Sequence, residues 1–176
     1  ADNPWWQDVL EHGQASDYAR FFDIDWHPPN PAFDGKLLIP VLGDHYGSVL
    51  ERGELALRFD AGQGRFSIAY YEHELPIDPR ESAAILRRAL AEAELEEAPI
   101  GDGDGDGEGS GVGNVGSGGN GNGDGGDRLA AFRALVERFE NLPPRTEPDG
   151  RAAAASACRR ELVRLVDDSA SLGVAI

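Results

Sequence analysis

Asp102, Asp104 and Asp106, followed by Gly107, open like a calcium loop in which alternate carboxylates converge on one hard cation. The rest of that loop does not follow. Its twelfth position falls on Gly113 where a bidentate glutamate is required, and no helix-forming sequence closes it. Nor does the stretch Gly118 to Asp127 carry the periodic apolar position that stacked calcium-binding repeats need. The four histidines, His12, His27, His45 and His73, lack ligand spacing, and Cys158 is the single cysteine, so no metal site, no cofactor and no disulfide are expected. A serine nucleophile elbow, a P-loop and a dinucleotide fingerprint are absent.

Charge narrows the partners further. Asp and Glu number 32 against 16 Lys and Arg, and a net charge of −16 repels phosphate backbones and anionic lipid, so neither nucleic acid nor a membrane is an expected partner. Fifteen of the basic residues are Arg and only Lys36 is Lys, which fits either a salt-adapted surface or the codon bias of a GC-rich genome. With no long apolar run and no secretory leader, a soluble, cytoplasmic protein is expected.

The elements that must position any site can be read from caps and periodicity. Asn3-Pro4 opens a helix from Pro4 to about His12, which Gly13 can close in the left-handed conformation. Trp5, Trp6, Val9 and Leu10 share one face of it, suited to packing on a neighbour or, for either Trp, to touching a ligand. Tyr18 to Trp26 is aromatic-rich and ends at Pro28-Pro29, which predicts a strand or strand-like arm. Lys36 to Leu42 is nearly all apolar and reads as a strand, either buried on both faces or at an edge because of Pro40. His45 to Arg52 allows two helical turns.

Alternation in Glu54 to Phe59 and Arg65 to Tyr71 around Gly62-Gln63-Gly64 predicts an antiparallel hairpin with one buried face. Asp78-Pro79-Arg80-Glu81 predicts an N-cap and capping box for a helix running to about Glu97. Fourteen of the 26 residues from Gly101 to Gly126 are Gly, the composition of a disordered linker. Beyond it Asp127 caps a helix striped by Leu129, Phe132, Leu135, Val136 and Phe139, ended by Pro143-Pro144, and a last helix spans about Arg151 to Asp168. The fold class is α+β: an α+β subdomain over residues 1–100 with the hairpin 54–71 flanked by helices, a linker over 101–126, and a helical segment over 127–176.

Several strings, taken together and in order, resemble the maltooligosyl trehalose synthase family: Asn3-Pro-Trp-Trp-Gln-Asp-Val-Leu-Glu-His-Gly13, Tyr18-Ala-Arg-Phe-Phe-Asp-Ile-Asp-Trp26, Lys36-Leu-Leu-Ile-Pro-Val-Leu-Gly43 with Tyr46-Gly47, and Tyr70-Tyr-Glu-His-Glu-Leu-Pro-Ile77. The likeness covers residues 1 to about 96, returns weakly at Leu142-Pro-Pro-Arg145, and is interrupted by the Gly-Asp run. It implies a place within an α-amylase-type barrel enzyme, as a lid-like subdomain inserted between the third and fourth barrel strands. The reaction it implies breaks the reducing-end α-1,4 bond of a maltooligosaccharide and remakes it as an α,α-1,1 bond, with retained configuration and a covalent glycosyl intermediate on a carboxylate. No position here matches the family's catalytic carboxylates, so the chain alone is expected to be inactive. Arg58-Phe59-Asp60 looks like the Arg-x-Asp of an amylase-type nucleophile strand, but it ends an alternating hairpin strand where a parallel barrel strand would be continuously apolar, so Asp60 is read as a turn residue.

The implied partners are the maltooligosaccharide and the rest of the parent barrel. Trp5, Trp6, Trp26, Tyr46, Tyr70 and Tyr71 offer faces for pyranose rings, and Asp23, Asp25, Lys36 and His73 can hydrogen-bond sugar hydroxyls. Asp25, Trp26, His45, Tyr46 and His73, at the polar ends of the matched strings, are the expected sugar contacts. A stand-alone carbohydrate-binding or protein-interaction module is the alternative. The apolar stripes of Pro4 to His12 and Leu129 to Phe139 are expected to await the barrel, leaving the isolated chain partly folded or associated.

Overall fold

The structure, a computed structural model, describes residues 3–97 and 123–168. Most of the Gly-Asp run, including Asp102, Asp104 and Asp106, lies outside the described residues. Helix α1 (Pro4–His12) starts as its sequence dictates: Asn3 Oδ1 accepts from the Trp5 and Trp6 amides at 3.0 and 3.4 Å, with Pro4 in the first turn. Gly13 closes it at a φ of 62°, but a ψ of −134° puts it outside the left-handed helical well that the sequence predicts.

From Gly13 to His45 the chain forms three 3-10 turns, Gly13–Ala15, Ala19–Phe21 and Pro31–Phe33, and otherwise runs irregular or extended. Of the strand or strand-like arm expected over Tyr18 to Trp26, no strand forms; Ala19–Phe21 is a 3-10 turn and irregular backbone follows it. Local bonds satisfy the backbone instead: the Phe22 amide donates to the Ala19 carbonyl, the His27 amide to Asp25 Oδ1 and the Ala32 amide to Asn30 Oδ1. Lys36 to Leu42 is likewise extended without a ladder, since Pro40 has no amide to give and the Val41 amide turns back to the Ile39 carbonyl at 2.9 Å. It buries one side only. Leu37, Ile39 and Val41 are half-buried while Leu38 is 76% exposed.

A short helix α2 (Tyr46–Glu51) leads into an antiparallel sheet of β1 (Ala56–Asp60), β2 (Arg65–Tyr70) and β3 (His73–Pro76), in that order. Leu57 faces Ile68 and Phe59 faces Phe66, whose rings lie 4.7 Å apart. Asp60 serves the turn: its carbonyl accepts from the Gly64 amide at 2.7 Å and its Oδ1 from the Gln63 amide at 3.0 Å. The third strand extends the expected hairpin through a tight turn at Tyr71-Glu72, with Tyr71 at a φ of 48°. Because β2 is central, Ser67 and Ala69 are buried along with Phe66 and Tyr70, so it is covered on both faces and not on one.

Helix α3 (Ser82–Glu97) begins later than its capping box predicts. The Asp78 carboxylate accepts from the Arg80 amide and from two guanidiniums, and Pro79 to Glu81 form a turn ahead of the helix. Helix α4 (Gly123–Glu140) begins a turn before Asp127, so residues 123–126 of the stretch read as linker are helical. Helix α5 (Arg151–Asp167) follows Gly150, which turns at a φ of 75°. Phe66 from β2, Leu86 and Leu90 from α3, Phe132, Leu135 and Phe139 from α4, and Leu162 from α5 share one core. This overturns the expectation that the α4 stripe awaits an absent barrel: Phe132 and Leu135 are fully buried within the chain itself. Among the described residues no helix is long and apolar enough to cross a membrane.

Candidate functional site

Three adjoining clefts follow the Lys36 to Val41 arm, each bounded by residues of α1 and two of them also by β3. The first, about 320 Å³, takes Leu10, Trp26, Lys36, Ile39, Leu75 and Arg145 into its walls. The second, about 410 Å³, shares Lys36 and Leu37 with it and adds Trp6, Asp23, Asp25 and Phe33. A third, about 530 Å³, shares Leu10, Ile39 and Leu75 with the first and adds Gln7, Glu72 and His73. Each falls in the size range of small-ligand sites, with polar and apolar side chains mixed in its walls.

The arm is set by a few bonds. Gly35 donates to the Trp26 carbonyl at 2.8 Å, which closes the loop between them, and the Gly43 amide donates to the Tyr70 hydroxyl at 2.9 Å, which ties the far end to the sheet. On the facing wall the Gln7 side-chain amide reaches the Glu74 carbonyl at 3.5 Å.

Of the residues predicted from sequence, Trp26 lines the first cleft, Asp25 the second and His73 the third. The Asp25 carboxylate accepts from the His27 amide at 3.0 Å, and the His73 ring lies 3.9 Å from Glu72. His45 and Tyr46 are not brought to these clefts. They sit at the start of α2, where the His45 amide donates to Asp44 Oδ1 at 2.7 Å and Tyr46 is 62% exposed. Trp5 stacks on Tyr18 at 5.4 Å with the rings 7° from parallel, Trp6 leans on Phe22 at 5.1 Å, and Tyr70 is buried with its hydroxyl on Gly43.

Sequence reasoning missed the polar seam behind the clefts. Arg145 donates through Nε to Asp78 Oδ2 at 2.7 Å, and through Nη2 to the Leu10 and Glu11 carbonyls at 3.3 Å each, at the C-terminal end of α1 where free carbonyls favour a cation. Asp78 also takes Arg151, which is 1% exposed, and Glu11 pairs with Arg159, both buried. The Leu142-Pro-Pro-Arg145 string was the available signal. Burial lowers His12 below the ordinary histidine value, against the pull of Asp8, and brings Arg159 down to about 10. Burial also pushes the Cys158 thiol up, which removes it as a nucleophile near neutrality. Among the described residues no group of three or more His, Cys, Asp or Glu is placed to hold a metal ion.

The clefts place the aromatic rings of Trp6, Trp26 and Phe33 near Asp25, Lys36 and His73, on a fold of a three-stranded antiparallel sheet flanked by helices, the α+β class. Over a 70-residue stretch the chain is 41% identical to proteins named "Putative maltooligosyl trehalose synthase" in two strains of Mycobacterium tuberculosis. The match covers 35% of this chain and 9% of each relative, so the chain spans only a small part of the curated relatives it matches. No family model and no solved structure matches.

Proposed function

We propose that this chain is the substrate-enclosing part of a trehalose-forming intramolecular transglucosylase, lying over the mouth of a barrel that other parts of the polypeptide supply. The observation that carries the reading is the run of clefts along Lys36 to Val41, where Trp6, Trp26 and Phe33 sit beside Asp25, Lys36 and His73. The partial likeness to maltooligosyl trehalose synthases supports it. In such a reaction the terminal glucose must turn around without escaping, and water must be kept from the glycosyl intermediate. A cover over the barrel mouth, where active sites of that fold lie, serves both needs. Aromatic faces hold the pyranose rings while Asp25, Lys36 and His73 fix their hydroxyls. His45 and Tyr46 would meet a longer glucan that extends past α2.

The test is product partition in the intact enzyme with maltopentaose. Trp26→Ala is expected to lower the ratio of trehalose-ended product to hydrolysis about tenfold, a loss of about 1.4 kcal/mol of discrimination, with Trp26→Phe restoring most of it. An unchanged ratio in a folded Trp26→Ala enzyme would remove these clefts from the reaction.

A second reading, a free-standing carbohydrate-binding module, is favoured by one observation: α3, α4 and α5 complete a shared core without outside help. Saturable maltopentaose binding by the 176-residue chain, weakened by Trp26→Ala, in a natural polypeptide that yields no trehalose-ended product would select it.

A further inference from the structure

We propose that the cleft between the β1–β2 turn and α5 is an anion site that takes a small phosphate-bearing molecule. This cleft, about 450 Å³, is walled by Gln63, Arg65, Ser156, Arg159, Arg160 and Arg164, and no Asp or Glu lines it. It shares no residue with the three clefts along the arm.

In a chain with twice as many acidic as basic residues, an unbalanced cluster of guanidiniums calls for a reason. Several arginines elsewhere find carboxylates: Arg52 pairs with Asp44 and Glu54, Arg87 with Glu140, Arg133 with Glu94 and Arg138 with Glu161, while Arg80 donates to the Glu140 carbonyl and Arg20 lies over the Phe21 ring. On this cleft Arg160 and Arg164, one helical turn apart and both exposed, have no ion pair among the described residues. Like charges at that spacing repel. Arg65 comes no nearer to a carboxylate than 3.9 Å, from a Glu11 already engaged by the buried Arg159. Three guanidiniums therefore face the opening with positive charge left over, more than a single carboxylate would balance and suited to a phosphate dianion. Their planar forks match phosphate oxygens, and the Ser156 hydroxyl and Gln63 amide add donors.

The walls are fixed to one another. A Cβ on Gly64 would lie 2.8 Å from the Arg159 carbonyl oxygen, so turn and helix meet backbone to backbone, and the Glu11 pair holds Arg159 at the floor. The chain's overall charge opposes anion approach, so affinity must come from these short-range contacts, within a Debye length.

Calorimetric titration of the full chain with inorganic phosphate and with glucose 6-phosphate, against glucose and against chloride at matched ionic strength, tests this. Saturable binding of both phosphates that neither glucose nor chloride displaces is expected, weakened about tenfold or more in Arg160→Gln/Arg164→Gln, whose side chains are exposed and spare the fold. Trp26→Ala should leave it unchanged, which separates this site from the proposed sugar clefts. Arg65→Gln, alone, should weaken it in the same direction. Absence of saturable phosphate binding, or equal binding by the folded double variant, overturns the proposal. Binding of a Glu-rich peptide that phosphate does not displace also overturns it, and assigns the cleft to a protein partner.

Discussion

From β2 to α5 the chain is held by side chains that meet from far apart in sequence, whereas from Asp17 to His45 it is held mainly by bonds between near neighbours. In the first region Phe132, Leu135 and Leu162 are fully buried, and Asp78 collects Arg145 and Arg151 from beyond the Gly-Asp run. In the second, the turn at Asn30 and the Trp26–Gly35 closure do the work, and Phe21, Phe33 and Leu38 remain exposed. The candidate clefts draw walls from both. A wall from α1 and β3 faces an arm tied to it by few long-range bonds, an arrangement compatible with the enclosing role proposed above.

The sharpest way to break this contrast is Asp78→Ala. It would leave the Arg151 guanidinium buried without its carboxylate, at a cost of about 3–5 kcal/mol of stability, read by denaturant unfolding. A loss under about 1 kcal/mol would show that the ion pairs do not hold the helical body. A middle-sized effect is expected from pH. Burial keeps His12 below its ordinary value of 6.5, so the folded state binds fewer protons there than the unfolded state. Its contribution is intact above 6.5 and is lost as pH falls through that value, by at most about 1.4 kcal/mol per pH unit. His12→Asn should flatten the melting temperature against pH over that window, and an unchanged slope would assign the loss to other groups. The smallest effect belongs to the arm: Tyr70→Phe removes the hydroxyl that accepts from Gly43 and should cost about 1 kcal/mol. Amide exchange at Gly43 should speed up while exchange in α4 stays as it was; a parallel rise in α4 would mean that arm and body unfold together.

Much of the body was legible because periodicity and caps are local signals. Asn3-Pro4, the alternation around Gly62-Gln63-Gly64 and the stripe from Leu129 to Phe139 each announce an element that the fold contains. β3 was missed as a strand because the turn at Tyr71-Glu72 carries no glycine or asparagine to mark it, although Tyr71 adopts a positive φ. The arm was misread because aromatic and apolar content was taken for a ladder that prolines and side chain–backbone bonds replace. In the candidate site Asp25, Trp26 and His73 were named from their strings, but their grouping depends on how α1, the arm and β3 pass one another. Asp78 and Arg145 lie 67 residues apart, and no spacing rule reaches that far.

Gly64 has a consequence beyond its own turn. Since it rests on the main chain of α5 and not on a movable side chain, no rotamer change can make room for a larger residue. Hairpin tip and helix are mechanically one piece. The strand that leaves this contact, β2, ends at Tyr70, whose hydroxyl anchors the arm at Gly43.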